Sequence, residues 1–92
     1  MPERTVTVRS SSGLHARPAA LFVKAAGRTG VPVRLRAEDG RVAEARSILA
    51  VLGLRVRTGA QITLLAEGEG AQAAIDTLAD LLESDLDAPD AG

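Results

Sequence analysis

Residues 13–18 read G-L-H-A-R-P and hold the only histidine of the chain, His15, two places ahead of Arg17 and three ahead of Pro18. Proline has no N–H to donate, so it is tolerated in the first turn of a helix and not in its interior. Pro18 therefore predicts a helix start at or just before Ala16 and puts His15 at or near the N-cap. The backbone N–H groups of Ala16 and Arg17 then have no partner within the helix, and the helix dipole is positive there. Such a place favours neutral imidazole over imidazolium, and a neutral ring is a usable nucleophile near neutral pH. It also favours an anion attached to that ring. Arg17 adds a guanidinium able to hold two phosphate oxygens. Gly13 lets backbone or a partner approach closely. These residues suit acceptance of a phosphoryl group on His15, a reaction that asks a protein mainly for positioning and charge stabilisation. A lone histidine near a helix start is more often a surface residue or a modest cap, and the hexapeptide by itself leaves both readings open.

Other chemistries have less to work with. The chain has no cysteine and no second histidine, so no thiolate or His-based metal site and no Cys–His or His–His dyad is expected. Nothing calls for a cofactor. Ser10, Ser11 and Ser12 lie on a stretch read as a loop, S-S-S-G, with no obvious orienting acid. Phe22 is the only aromatic residue, which argues against base stacking and hence against a nucleic-acid partner. The first thirty residues lack the apolar core of a signal peptide, and no stretch is long enough to cross a bilayer. The expectation is a soluble cytoplasmic protein of one domain, 92 residues long, with a core of Val, Leu, Ile and Ala.

The elements that must position His15 follow from hydrophobic spacing. T-V-T-V-R (Thr5 to Arg9) alternates and predicts a half-buried strand with Val6 and Val8 inward. Ala16 to Ala26 predicts a helix whose buried stripe is Ala19, Phe22, Val23 and Ala26, with Gly27 and Gly30 able to end it. Val31 to Ala37 is a second strand, Glu38 to Gly40 a turn with the Asp-Gly hairpin signal, and Arg41 to Ala43 a short third strand. Ser47 precedes I-L-A-V-L, a short helix. Gly59 marks a turn, Gln61 to Glu67 a fourth strand with Ile62 and Leu64 inward, and Ala71 to Glu83 a third helix. The segment from Ser84 onward is acidic, and a frayed or disordered tail over 85–92 is expected. The order β-α-β-β-α-β-α, with one apolar face per strand, predicts an α+β fold: an antiparallel sheet covered by helices on one side and wet on the other.

Charge is asymmetric along the chain. All 11 Lys and Arg residues lie between Arg4 and Arg57, and eight acids but no base follow, although the net charge is only -1. If the fold separates these segments, one surface is basic and would steer toward an acidic partner or a phosphate; interleaved charge is the alternative.

G-L-H-A-R-P-A-A (Gly13 to Ala20) resembles the active-site motif of HPr, the histidine-containing phosphocarrier of the bacterial phosphotransferase system. G-R-V-A-E-A-R-S-I-L-A-V-L-G-L (Gly40 to Leu54) resembles that family's serine-site segment, and the likeness extends over about residues 4 to 84. The resemblance implies an open-faced β-sandwich, a four-stranded antiparallel sheet with three helices on one face, as a single domain over 1–84. It implies that Nδ1 of His15 accepts a phosphoryl group from enzyme I, which draws it from phosphoenolpyruvate, and passes it to IIA domains of sugar permeases. By the same likeness Arg17 assists at the phosphoryl group. Ala20, Lys24, Ile48, Leu49 and Leu52 would form the partner-binding surface of a monomer, with Arg28 and Arg46 as further cations around it. Val51 and Leu54 are expected in the core.

Ser47 matches the serine that HPr kinase/phosphorylase modifies in many Gram-positive relatives. It is equally a standard helix N-cap, worth about 1 kcal/mol against alanine, and both roles can hold together. The chain departs from the family at Arg55, where a glycine or another small or acidic residue is common. The His15-to-Ser47 spacing is also one residue longer than in well-known Gram-positive members, and the turn at Glu38 to Gly40 is the natural place for the extra residue. A competing reading is a regulatory binding module that acts through the Ser47 surface and carries no phosphohistidine. Such a module has no need of an imidazole at a helix start. A small ferredoxin-like hydrolase would need an Asn or a second polar group facing Arg17, and the chain contains no Asn.

Overall fold

The computed structural model describes residues 2–9, 13–14 and 16–84. Its elements run β1 (Glu3–Thr7), α1 (Ala16–Thr29), β2 (Val33–Ala37), β3 (Val42–Glu44), α2 (Ile48–Gly53), β4 (Gln61–Ala66) and α3 (Ala71–Glu83). The four strands form one sheet in the order β1-β4-β2-β3, and every neighbouring pair is antiparallel. The three helices cover one face. The fold is the expected α+β open-faced sandwich.

Register follows from burial. Val6 stands opposite Ile62, and Leu35 opposite Leu64, all four with their side chains in the core. The alternate residues face solvent, where Arg34 meets Glu44 at 3.3 Å, Arg36 meets Glu3 at 3.9 Å, and the hydroxyls of Thr5 and Thr63 lie 2.8 Å apart. A one-residue slip would turn these charges into the core, so the pairing is strongly specified. From the helical side, α1 contributes Ala19, Phe22 and Ala26, and α3 contributes Ala71, Ala74, Ile75, Leu78, Ala79 and Leu82. Each fully buried Leu, Ile or Phe among them is worth about 1.5–3 kcal/mol. Among the described residues no helix is long and apolar enough to cross a membrane.

Several element boundaries differ from those read from the sequence. β1 pairs over Glu3–Thr7, two residues earlier than the alternation suggested. Val8 is still buried, but its N–H donates to the Ala60 carbonyl and its own carbonyl accepts from Gly59, outside the ladder. α1 continues through Gly27 and stops at Gly30, whose φ of +70° is the left-handed conformation that ends helices. Val31 is half-buried, yet β2 begins only after Pro32, which has no N–H for a ladder. β3 lies one residue later than expected, and β4 one residue shorter. α3 has the bounds its apolar stripe predicted. The expected tail over 85–92 and the serines at 10–12 lie outside the described residues.

Candidate functional site

The approach to α1 is fixed from both sides. Leu14 is 1% exposed, and its N–H donates to the Val56 carbonyl at 2.9 Å. Gly13 packs its α-carbon directly on residues 56 and 57. A Cβ at that position would overlap the carbonyl oxygen of Val56 and come within 2.8 Å of the Arg57 Cα. Gly13 also has φ +70°. The close approach expected of this glycine is thus an approach by the chain's own backbone. Beyond it, Pro18 is fully buried and anchors the first turn of α1 to the core.

His15 itself lies outside the described residues. Of its neighbours, Ala16 opens α1 with φ 44°, a left-handed conformation that costs an alanine about 1–2 kcal/mol. Strain of this kind gathers at functional loops and persists only where the surroundings impose it. Here the buried Leu14 and Pro18 on either side do so. Arg17 is exposed, and among the described residues it has no salt-bridge partner.

α2 packs against α1. Ser47 is its N-cap: the backbone is extended, and Oγ accepts from the Ala50 N–H at 3.2 Å. The helix divides as expected. Val51 is 0% and Leu54 5% exposed, whereas Leu49 is 81% exposed, Ile48 is partly open and Leu52 is half-buried. Ala20 and Lys24 are exposed on α1. Leu21 is a further large apolar residue exposed on α1 that the sequence reading did not single out. The signal for it was its position off the Ala19-Phe22-Val23-Ala26 stripe.

The C-terminal end of α2 is held by an arginine that the sequence reading did not single out. Arg41 donates to the carbonyls of Gly53 at 3.1 Å and Leu54 at 2.9 Å, and so satisfies acceptors that the helix end leaves open. Asp39 aims it: one carboxylate oxygen accepts the Arg41 backbone N–H at 2.9 Å and the other accepts Nε at 2.7 Å. The backbone bond first, then the guanidinium, holds the Asp39 carboxyl below the usual aspartate value. Its contribution to stability is therefore complete above the ordinary carboxylate pKa and fades as pH falls through the lowered one.

The charge asymmetry of the sequence becomes a division in space. Arg4, Arg34, Arg36 and Arg41, on the strands and the hairpin turn, all pair with acids. Arg17, Lys24, Arg28, Arg46, Arg55 and Arg57 are exposed on α1 and on the segments flanking α2, and have no salt bridge among the described residues; Arg9, past β1 and bonded through its N–H to the Leu82 carbonyl, is the one further cation without one. The surface around the α1/α2 patch is therefore basic, of the kind that orients an acidic partner. Arg55 has φ 53°, a left-handed conformation that glycine adopts freely and a residue with a Cβ does not.

Comparison with known proteins agrees with this geometry. Residues 2–84 match the family model PTS-HPr, described as the PTS HPr component phosphorylation site. The chain is 49% identical over 87 residues to the phosphocarrier protein HPr of Streptomyces coelicolor, covering 95% of this chain and 94% of the relative. The crystal structure of HPr-C-His from Thermoanaerobacter tengcongensis superposes with a TM-score of 0.88 at 36% identity, over 97% of this chain and 99% of that one. That of Bacillus subtilis Crh, a catabolite-repression protein crystallised as a swapped dimer, gives 0.72 at 42% identity, over 92% and 97%.

Proposed function

The chain belongs to the HPr phosphocarrier family, and on that premise we propose that it accepts a phosphoryl group on Nδ1 of His15 from phospho-enzyme I and passes it to IIA domains of sugar permeases. The observation that carries this reading is the match of residues 2–84 to a family defined by its phosphorylation site, with G-L-H-A-R-P at 13–18. In the accepting step the imidazole nitrogen attacks phosphorus. The bond from phosphorus to the donor breaks, and its electron pair stays with the donor. The same displacement onto an IIA domain discharges the carrier. His15 is regenerated by a second protein, so the chain is a carrier and not a turnover enzyme.

Mixing the protein with enzyme I and phosphoenolpyruvate and following its mass tests this. One acid-labile phosphoryl adduct is expected. Absence of an adduct with several active enzyme I preparations overturns the reading.

Arg17 is the second handle on the phosphoryl oxygens in this reading, and the N–H groups of Ala16 and Arg17 add the positive end of α1. A charge-assisted hydrogen bond contributes about 1.5–3 kcal/mol, so Arg17→Ala should slow transfer about tenfold to a hundredfold while leaving the fold intact. Stopped-flow or quench transfer assays check it, and an unchanged rate removes Arg17 from the mechanism.

Ser47 is the site of regulation in this reading, through phosphorylation by an HPr kinase/phosphorylase. Phosphate at a helix N-terminus is locally tolerated, but added negative charge beside the basic patch opposes an acidic partner. Ser47→Asp keeps a good N-cap. It should slow transfer from enzyme I about fivefold, with little change in melting temperature, if a repulsion of about 1 kcal/mol is introduced. Equal rates for the two proteins would separate Ser47 from the docking surface.

The likeness to Crh supports one second reading, a regulatory module that acts through the Ser47 surface without phosphotransfer. The mass experiment separates the two. The carrier is taken to act as a cytoplasmic monomer, and sedimentation at working concentration distinguishes that state from a dimer.

A further inference from the structure

We propose that Arg55 is a docking residue: the segment 55–57 extends the partner-binding surface past the α1/α2 patch and receives an acidic side chain of the protein that exchanges the phosphoryl group. The inference rests on the phosphocarrier reading.

Arg55 and Ala16 are the two residues other than glycine with left-handed φ among the described residues. Glycine takes this conformation without penalty, and a side chain with a Cβ does not. The surroundings leave Arg55 no other conformation. Its N–H donates to the Leu52 carbonyl at 3.1 Å, Arg41 holds the carbonyls of Gly53 and Leu54, and the Val56 carbonyl accepts from Leu14. Internal stability therefore favours glycine here. Yet the chain has an arginine, exposed and bonded to no other side chain among the described residues.

Location and charge say what the arginine faces. The carbonyl that follows Arg55 in the chain holds Leu14, the residue before His15. On its other side Arg55 lines a cleft of about 260 Å³ with Glu38, Asp39, Arg41, Arg57 and Gln61. The acids of this cleft are engaged. Glu38 Oε1 accepts the Gln61 N–H at 2.7 Å, and both oxygens of Asp39 are taken by Arg41. Asp39 is neutralised by Arg41, whereas Glu38 keeps its charge, so Arg55 and Arg57 together leave the cleft with one positive charge in excess, which favours a carboxylate at the Arg55 side.

The test compares phosphoryl transfer from enzyme I to the wild-type chain, Arg55→Gly and Arg55→Lys at low salt and at about 0.5 M salt, where charges are screened within a few ångströms. Arg55→Gly should raise the melting temperature by about 4 °C or more. At low salt it should raise KM for phospho-enzyme I about threefold to fivefold with kcat unchanged, and the difference should close at high salt. Arg55→Lys should stay near the wild-type KM. An unchanged KM for Arg55→Gly at low salt overturns the inference, as does a loss confined to kcat, which would put the guanidinium on the phosphoryl group itself. A lower melting temperature for Arg55→Gly also overturns it, because Arg55 would then stabilise the fold. If the wild-type chain takes up no phosphoryl group, the carrier reading falls and this inference with it. If the wild-type chain is charged normally and Arg55→Gly matches it, only the docking role falls.

Discussion

His15→Ala is expected to take up no phosphoryl group at all from enzyme I and phosphoenolpyruvate, at any time of incubation, while melting close to the parent chain. The loss is complete because this is the only imidazole in the chain and no cysteine can substitute for it as a nucleophile. The fold survives because the residues that anchor the approach to α1 are Leu14 and Pro18, both fully buried. Intact-mass spectrometry and thermal melting of the same sample read the two effects separately. An adduct of unchanged yield on His15→Ala would place the phosphoryl group elsewhere. A collapsed melting transition would mean that the imidazole is structural.

Gly13→Ala is expected to destabilise the protein by about 3 kcal/mol or more, since a left-handed alanine alone costs about 1–2 kcal/mol and the overlap comes on top. The atoms its Cβ would meet are the Val56 carbonyl oxygen and the Arg57 Cα, which are backbone and cannot swing aside. The melting temperature should fall by about 12 °C or more for a domain of this size. Gly27→Ala is the matched control. Gly27 lies inside α1, a Cβ there meets nothing within 4 Å, and the change should stabilise by about 0.5–1 kcal/mol. Calorimetry of the two variants decides the matter, and a fall of less than about 4 °C for Gly13→Ala would mean that the loop yields easily. Transfer measured where both variants are folded should also be slower for Gly13→Ala, because the displaced backbone leads directly into His15.

The order of elements, the α3 stripe and the Ser47 cap were legible in the sequence because each is a local pattern. Ala71, Ala74, Ile75, Leu78 and Leu82 repeat at helical spacing, and Ser47 stands just before an apolar run. The start of β1 was not legible. Glu3 and Arg4 are polar, and they join the sheet because β4 offers Leu65 and Leu64 opposite them. Likewise nothing local marks Arg41 as the residue that closes α2, since its two acceptors come from a segment beyond β3. Gly13 was recognised as a place of close approach, but its neighbour, the backbone at 56–57, is distant in sequence. For the site, residue types were readable from the G-L-H-A-R-P motif. The left-handed conformations of Ala16 and Arg55 were not, because contacts between separate segments impose them on residues that would otherwise avoid them.

The separation of paired and unpaired charge makes this protein a dipole with almost no monopole. Its net charge is -1. Yet most of the cations without a salt bridge among the described residues lie on α1 and around α2, toward the β3 edge of the sheet, while Glu67, Glu69 and Asp80 lie just before or on α3, which covers the β1 and β4 edge of the same face. A charged partner therefore exerts little net pull on it at a distance but a definite torque as it nears. The partner's field would select orientation rather than capture frequency, so collisions that do occur arrive with the α1/α2 end foremost.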